Sequence, residues 1–164
     1  MKCKNNNLPL HSEKINPDDI LPLNLDQQMC FALYSASLSM TKTYKPLLMS
    51  LNLTYPQYLV LLVLWQQDSA TVKTLSERLF LDSGTLTPLL KRLEKNGYLT
   101  RKRSTEDERQ VIVKLTKSGE QLQQKSQHIP LKVACNTGCS LNELHTLNDQ
   151  LIALRSSLIN NKTP

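Results

Sequence analysis

The chain has 164 residues, 40% of them apolar and 5% aromatic, with only four glycines; this allows one core, or a small lobe plus helices that pack on a second copy, and excludes two roomy domains or a many-stranded sheet. The formal net charge is +6, and residues 71 to 117 hold eleven Lys and Arg against six Asp and Glu, a surplus of +5, which is the footprint of a protein that sits on a polyanion, duplex DNA first. The start, MKCKNNNLPLHSEKINPDD, has no signal-peptide apolar core and the longest apolar run, Tyr58 to Trp65, cannot span a bilayer, so a cytoplasmic protein without membrane contact is expected, its four cysteines read as thiols first.

Residues 1 to about 22, with three prolines and an asparagine run, read as a flexible arm, and Cys3 within it as incidental. Leu25, Met29, Ala32, Leu33, Ala36 and Met40 then recur at helical spacing, with Asn24 as N-cap and Gln27 as its capping-box partner, predicting a long first helix to about Leu48. Thr54 or Tyr55 as cap and Pro56 in the first turn open an apolar helix through Trp65 that must be core, and Asp68-Ser69-Ala70 breaks it.

Val72, Leu75 and Leu79 share one face of a short helix ending at Phe80, and Leu81-Asp82-Ser83-Gly84 is a turn. Asp82 caps the next helix, which turns Leu86, Leu89, Leu90 and Leu93 inward and ends at Gly97 as C′. Pro88 within it predicts a bend, or a shorter helix capped by Thr87. Leu99–Arg103 and Gln110–Leu115 alternate apolar and polar residues around the charged stretch 104–109, a hairpin. Two helices complete the chain, Lys117 to about Val133 and Ser140 to Asn160, separated near Pro130 and by Cys-Asn-Thr-Gly-Cys. The fold class is mainly α with a small β-hairpin wing: a winged helix-turn-helix.

A helix lying in the major groove needs short donors near its N-terminus and longer cations beyond them. Ser83, Thr85, Thr87, Lys91 and Arg92 supply both, while Arg101 and Arg103 on the strand and Arg109 at the turn can meet phosphates or a narrow minor groove. Unpaired carboxylates would repel phosphate, so Glu106, Asp107 and Glu108 are expected to pair with neighbouring arginines and orient them.

Cys30 shares a stripe of the first helix with Tyr34, Ser37, Thr41 and Tyr44, so its thiol stands among hydroxyls whose donors stabilise a thiolate. Tyr44 is fourteen residues along, about 21 Å away within one chain, and only a partner's helix could bring it close. On residues alone two readings stand: a reactive thiol, or a small buried filler.

The segments Cys30-Phe-Ala-Leu-Tyr-Ser, Met40-Thr-Lys-Thr-Tyr-Lys-Pro-Leu-Leu, Leu53-Thr-Tyr-Pro-Gln-Tyr-Leu-Val, Leu81-Asp-Ser-Gly-Thr-Leu-Thr-Pro-Leu-Leu-Lys-Arg and Arg103-Ser-Thr-Glu-Asp-Glu-Arg resemble the organic-hydroperoxide-responsive repressors (OhrR) of the MarR family, closely over about residues 23 to 120. The resemblance implies a homodimeric repressor on a pseudo-palindromic operator, released when the first-helix cysteine is oxidised to sulfenic acid and captured by a thiol. It makes Cys30 the redox-sensing residue, hydrogen-bonded by Tyr44 and Tyr55 of the partner subunit. In one branch of the family a second protein cysteine resolves the oxidised one across the dimer. Cys135, after the fifth helix, takes that part by position, with Cys139 as the second candidate. A disulfide needs Cα atoms within about 7 Å, so an oxidised form whose cysteines start far apart has to move helices, a movement that would spread the recognition helices.

The resulting organisation is an arm over 1–22, a first helix and connection over 23–54 bearing the sensor and part of the dimer interface, a winged helix-turn-helix over 55–117, and C-terminal dimerisation helices over 118–164. Competing readings are a MarR-type regulator released by a non-covalent small molecule, a thiol peroxidase, and a metal site at Cys135, Cys139 and His145. The last lacks the doubled ligand pair of zinc sites, and no nucleophile motif of an enzyme is present. No cofactor or metal is expected.

Overall fold

The computed structural model describes residues 23–161; the expected arm and Cys3 lie outside them. Leu25–Gln27 form one 3-10 turn, and then come α1 (Met29–Met49), α2 (Tyr55–Gln66), β1 (Ser69–Thr71), α3 (Val72–Leu79), α4 (Ser83–Lys95), β2 (Leu99–Arg103), β3 (Val111–Leu115), α5 (Lys117–Ser126), α6 (Ile129–Thr137) and α7 (Leu141–Asn160). No helix among the described residues is long and apolar enough to cross a membrane.

The first helix starts four residues later than its spacing predicted. Asn24 does accept from a backbone amide, that of Asp26 at 3.0 Å, but the turn it caps is 3-10, and extended Gln28 ends that turn before α1 begins. α2 begins as expected after Thr54, with Gln57 Oε1 accepting from the Thr54 amide at 2.8 Å and its hydroxyl at 3.1 Å. The break after α2 is also a strand: β1 pairs antiparallel with β3, Ala70 opposite Val113, and the sheet order is β1-β3-β2. The wing hairpin is therefore two of three strands, with Arg101 opposite Val113 and Arg103 opposite Val111.

α4 runs unbroken through Pro88. The carbonyl that loses its donor is that of Gly84 in the first turn, and a residue so close to the helix start gives up little of the ladder. Asn96 closes α4, and Gly97, at φ 75°, supplies the left-handed C′ conformation. The expected helix from Lys117 to Val133 is two helices, broken at Gln127-His128, so that Pro130 falls in the first turn of α6.

The chain divides into two units, residues 36–133 and a second formed by the segments before and after them. The core belongs to the first. Leu48, Leu61, Leu75, Leu86, Leu93, Val113 and Ile129 have no exposed surface. Leu86, Leu90 and Leu93 are buried as predicted, while Leu89 is half-buried. In the second unit no residue of 23–35 or 134–161 is buried, and Leu25, Met29, Leu141, Leu151, Ile152 and Leu158 are exposed.

Two side chains join distant segments of the core unit. Trp65 Nε1 donates to the Gly119 carbonyl at 3.0 Å, and the Tyr98 hydroxyl donates to the Leu51 carbonyl at 3.3 Å. Gly119 is buried where α5 crosses the start of the wing, and a Cβ on it would stand 2.0 Å from the Tyr98 carbonyl oxygen. Backbone has to move to admit even a methyl group, so Gly119→Ala is expected to cost about 2 kcal/mol or more, read as a lower urea midpoint at unchanged slope.

Candidate functional site

Sequence reasoning placed short donors at the front of α4, cations behind them, and arginines on the wing. Asp82 explains why the front of α4 is ordered: Oδ1 accepts from the Thr85 amide at 2.9 Å and Oδ2 from the Thr85 hydroxyl at 2.8 Å. These bonds, led by the one from the Thr85 side chain, hold the Asp82 carboxyl below its usual range. The Thr85 hydroxyl proton is thereby committed to the cap.

A recess of 590 Å³ between α3, α4 and the wing brings together Ser83, Thr87, Arg101 and Arg109, with Lys73 and Gln110 beside them. Lys73 and Gln110 were not singled out in the sequence; Lys73 was legible only as one of eleven cations. Lys91 and Arg103 are exposed outside this recess, and Arg92 lines a different one of 400 Å³ with Lys95 and Asn52.

Arg101 differs from the other cations. Its backbone N–H donates to Glu94 Oε1 at 2.9 Å, and its Nε and Nη2 donate to Glu94 Oε2 at 2.9 and 2.6 Å. Alternate residues of a strand share a face, so Arg101 lies on the face of β2 that buries Leu99, and an arginine turned that way needs a carboxylate waiting for it. The Arg101 side chain lowers the Glu94 carboxyl below its ordinary range. Glu94 had no assigned role in the sequence, because the pair joins a helix to a strand and follows no periodicity.

At the wing tip Asp107 does not pair with arginine side chains as expected. Its Oδ1 accepts from the Arg109 backbone amide at 3.0 Å, its Oδ2 from Gln110 Nε2 at 3.1 Å, and its carbonyl from the Gln110 amide at 2.9 Å. Asp107 thus shapes the turn that carries Arg109 and leaves the guanidinium to other partners.

Among the described residues Cys30, Cys135 and Cys139 are free, exposed thiols, so Cys30 is not a buried filler in the single chain. Cys30 lies in the first turn of α1, and its hydroxyl stripe is exposed at Tyr34, Ser37 and Thr41. The Thr41 hydroxyl donates to the Ser37 carbonyl at 2.9 Å, which withdraws one expected donor. Cys135 follows α5 as expected but lies within α6 and not in a connection, while Cys139 follows Gly138 and its amide donates to Thr137 Oγ1 at 3.2 Å.

Towards the other end of α1, Tyr44 stacks on Tyr55 with ring centroids 4.5 Å apart, and on Tyr58 at 6.0 Å. Burial, and then the two neighbouring phenols, push Tyr44 up to about 12; burial also raises Tyr55. Both phenols therefore keep their protons at neutral pH and can act as donors.

A family profile described as transcriptional regulator SarA/Rot matches residues 42–129. The organic hydroperoxide resistance transcriptional regulator of Bacillus subtilis strain 168 is 50% identical over 136 residues, 83% of this chain and 92% of that protein. Two solved structures of AbfR, a Staphylococcus epidermidis protein, share the fold. Reduced AbfR bound to DNA has a TM-score of 0.67 at 35% identity, covering 82% of this chain and 94% of that one. Disulfide-formed AbfR has a TM-score of 0.56 at 36% identity, covering 79% and 91%.

The Asp82 cap makes a pH-dependent contribution to stability. A carboxyl lowered on folding adds stability that is complete above its unfolded pKa and is lost as pH falls through the folded one. Asn also caps well but does not titrate. The stability difference between the wild type and Asp82→Asn is expected to shrink as pH falls from about 5 to about 3, measured by urea unfolding at each pH; a constant difference would contradict the assigned cap.

Proposed function

The chain belongs to the MarR-type family of transcriptional regulators that holds the SarA/Rot proteins and the organic hydroperoxide resistance regulator, and from that membership we propose that it is a dimeric repressor that binds operator DNA while Cys30 is a thiol and releases it when an organic hydroperoxide oxidises Cys30. The observation that carries this reading is a free, exposed Cys30 on the hydroxyl side of α1, in a chain half identical to a hydroperoxide resistance regulator.

The chemistry is short. The Cys30 thiolate attacks the terminal oxygen of the hydroperoxide, the O–O bond breaks, and the alcohol leaves after taking up a proton, so that sulfur is oxidised to sulfenic acid. A second thiol then attacks that sulfur, expelling water and forming a disulfide. Cys135 of the partner subunit is the proposed resolving thiol, with Cys139 the alternative. Tyr44 and Tyr55 of the partner subunit, protonated donors, are proposed to hydrogen-bond the thiolate. The disulfide-formed AbfR structure supports a disulfide as a state this family can adopt.

Two observations support the second copy and the DNA. The segments 23–35 and 134–161 have no buried residue yet carry exposed Leu25, Met29, Leu151, Ile152 and Leu158, a surface that an isologous partner would cover. The charge concentrated on the helix and wing, in a chain that shares the fold of reduced AbfR, which was solved bound to DNA, supports duplex DNA as the partner of that surface. Ser83, Thr87, Lys91 and Arg92 are the proposed donors from α4, with Thr85 restricted to its remaining lone pairs, and Arg103 and Arg109 the proposed phosphate or minor-groove contacts.

Oxidation with a slight excess of cumene hydroperoxide, followed by non-reducing electrophoresis and mass spectrometry, is expected to yield a covalent dimer joining Cys30 to Cys135 or Cys139. Cys30→Ser should bind operator as the wild type does and stay bound under peroxide; release like wild type would refute the thiol mechanism. Cys135→Ser and Cys139→Ser, taken singly, identify the resolving residue by which one abolishes the covalent dimer. For the wing, Asp107→Ala is expected to weaken operator binding about fivefold, the worth of one hydrogen bond, and unchanged or tighter binding in a titration would overturn its role as the shaper of that turn.

A further inference from the structure

We propose that Glu94 is a positioning residue that docks the wing onto the recognition helix, and that Arg101 serves DNA binding through this dock and not as a phosphate ligand. The inference rests on the DNA-binding reading above and adds to it a residue of the wrong charge for the task.

The geometry is two-pronged. One oxygen of the Glu94 carboxylate takes the backbone amide of Arg101 at 2.9 Å, which fixes the strand; the other takes Nε and Nη2 of the same residue at 2.9 and 2.6 Å, which fixes the side chain. Both partners are sheltered, with side chains 24% and 35% exposed. Such charge-assisted pairs are stronger and less screened by salt than surface ones. A second ion pair, Lys73 with Glu77 at 3.9 Å, is by contrast a surface pair on one helix and links no two elements.

What the dock holds is decided by the sheet. β2 enters the wing directly from Arg101, and its last residue, Arg103, pairs with Val111 at the far side of the tip. The Asp107 turn closes between them and presents Arg109. Recognition helix and wing are separate secondary elements that must meet one duplex together, so a pivot between them costs affinity through lost preorganisation. Glu94 removes that pivot. It also occupies two guanidinium nitrogens of Arg101 on the side facing α4, while Arg109, which lines the same recess, has its backbone alone engaged by Asp107.

Charge and positioning give opposite signs, which makes the test sharp. Removing a carboxylate from a basic DNA-facing lobe should tighten binding if charge alone mattered. The probe is a duplex selected by the wild-type chain from a randomised pool, titrated with full-length variants over a range of salt. Glu94→Gln and Arg101→Lys are each expected to weaken binding about tenfold, although the lysine keeps its charge, and the double variant should be no weaker than the weaker single. The slope of affinity against salt should remain that of wild type for both, whereas Arg109→Gln should lower it by about one. In the free protein, hydrogen exchange at the wing amides of residues 101–110 should speed up in both variants while the amides of α2 keep their rates; a general loss of stability would move both. Tighter or unchanged binding by Glu94→Gln, a salt slope lowered by about one on removing the charge with Arg101→Gln, or unaltered wing exchange would overturn the proposal. If the wild-type chain selects no duplex, the DNA-binding reading fails by itself, and the exchange comparison still decides the dock.

Discussion

Burial of most of α2 is the constraint from which the lobe of residues 36–133 follows. Its sequence, YPQYLVLLVLWQ, has no polar stripe, and Tyr58, Val60, Leu61, Val63 and Leu64 are all buried. A helix apolar all round cannot face water and has to be enclosed by its neighbours. α3, α4 and α5 all pack against it, so the orientation of the recognition helix is set from behind, by hydrocarbon. Gln57, nearly fully buried at the start of α2, is admitted because its Oε1 accepts two hydrogen bonds from Thr54.

That arrangement leaves the outer face of α4 free for polar groups and gives the wing a fixed base. Trp65 at the far end of α2 reaches the Gly119 carbonyl, and α5 there lies close on the Tyr98 carbonyl, so the strand that begins at Leu99 starts from a point tied to the core. From the core outward the restraints change in kind: apolar packing at Leu86, Leu90 and Leu93, one sheltered ion pair at Glu94 and Arg101, then the hydrogen bonds of Asp107 at the tip. Each successive restraint is weaker and more hydrated than the last.

Local signals read directly from the chain were those with a mechanism acting over a few residues. Asp82 as a cap, Gly97 at a left-handed C′, and the inward leucines of α4 each depend on neighbours within about one turn, and each was legible. β1 was not, because three residues are too few to show alternation and Ser69-Ala70-Thr71 becomes a strand only when β3 arrives. The break between α5 and α6 carries no glycine, and Pro130 sits after it, where proline is tolerated. The partners of Asp107 and Arg101 escaped notice because a carboxylate can engage backbone as readily as a cation. That Cys30 belongs to the first helix was evident, but its place in the first turn was not, because that helix begins four residues later than its spacing predicted, and neither was its exposure, since apolar periodicity does not say which molecule covers a stripe.

The lack of any buried residue in 23–35 and 134–161 makes these segments subject to mass action. Segments that bury nothing in their own chain gain order only from what associates with them, and that gain grows with the logarithm of the partner's concentration. When the partner is another copy of the same chain, abundance itself becomes a variable: dilution withdraws the order that association lends to these segments, which carry Cys30, Cys135 and Cys139, while residues 36–133 keep the core that they bury among themselves.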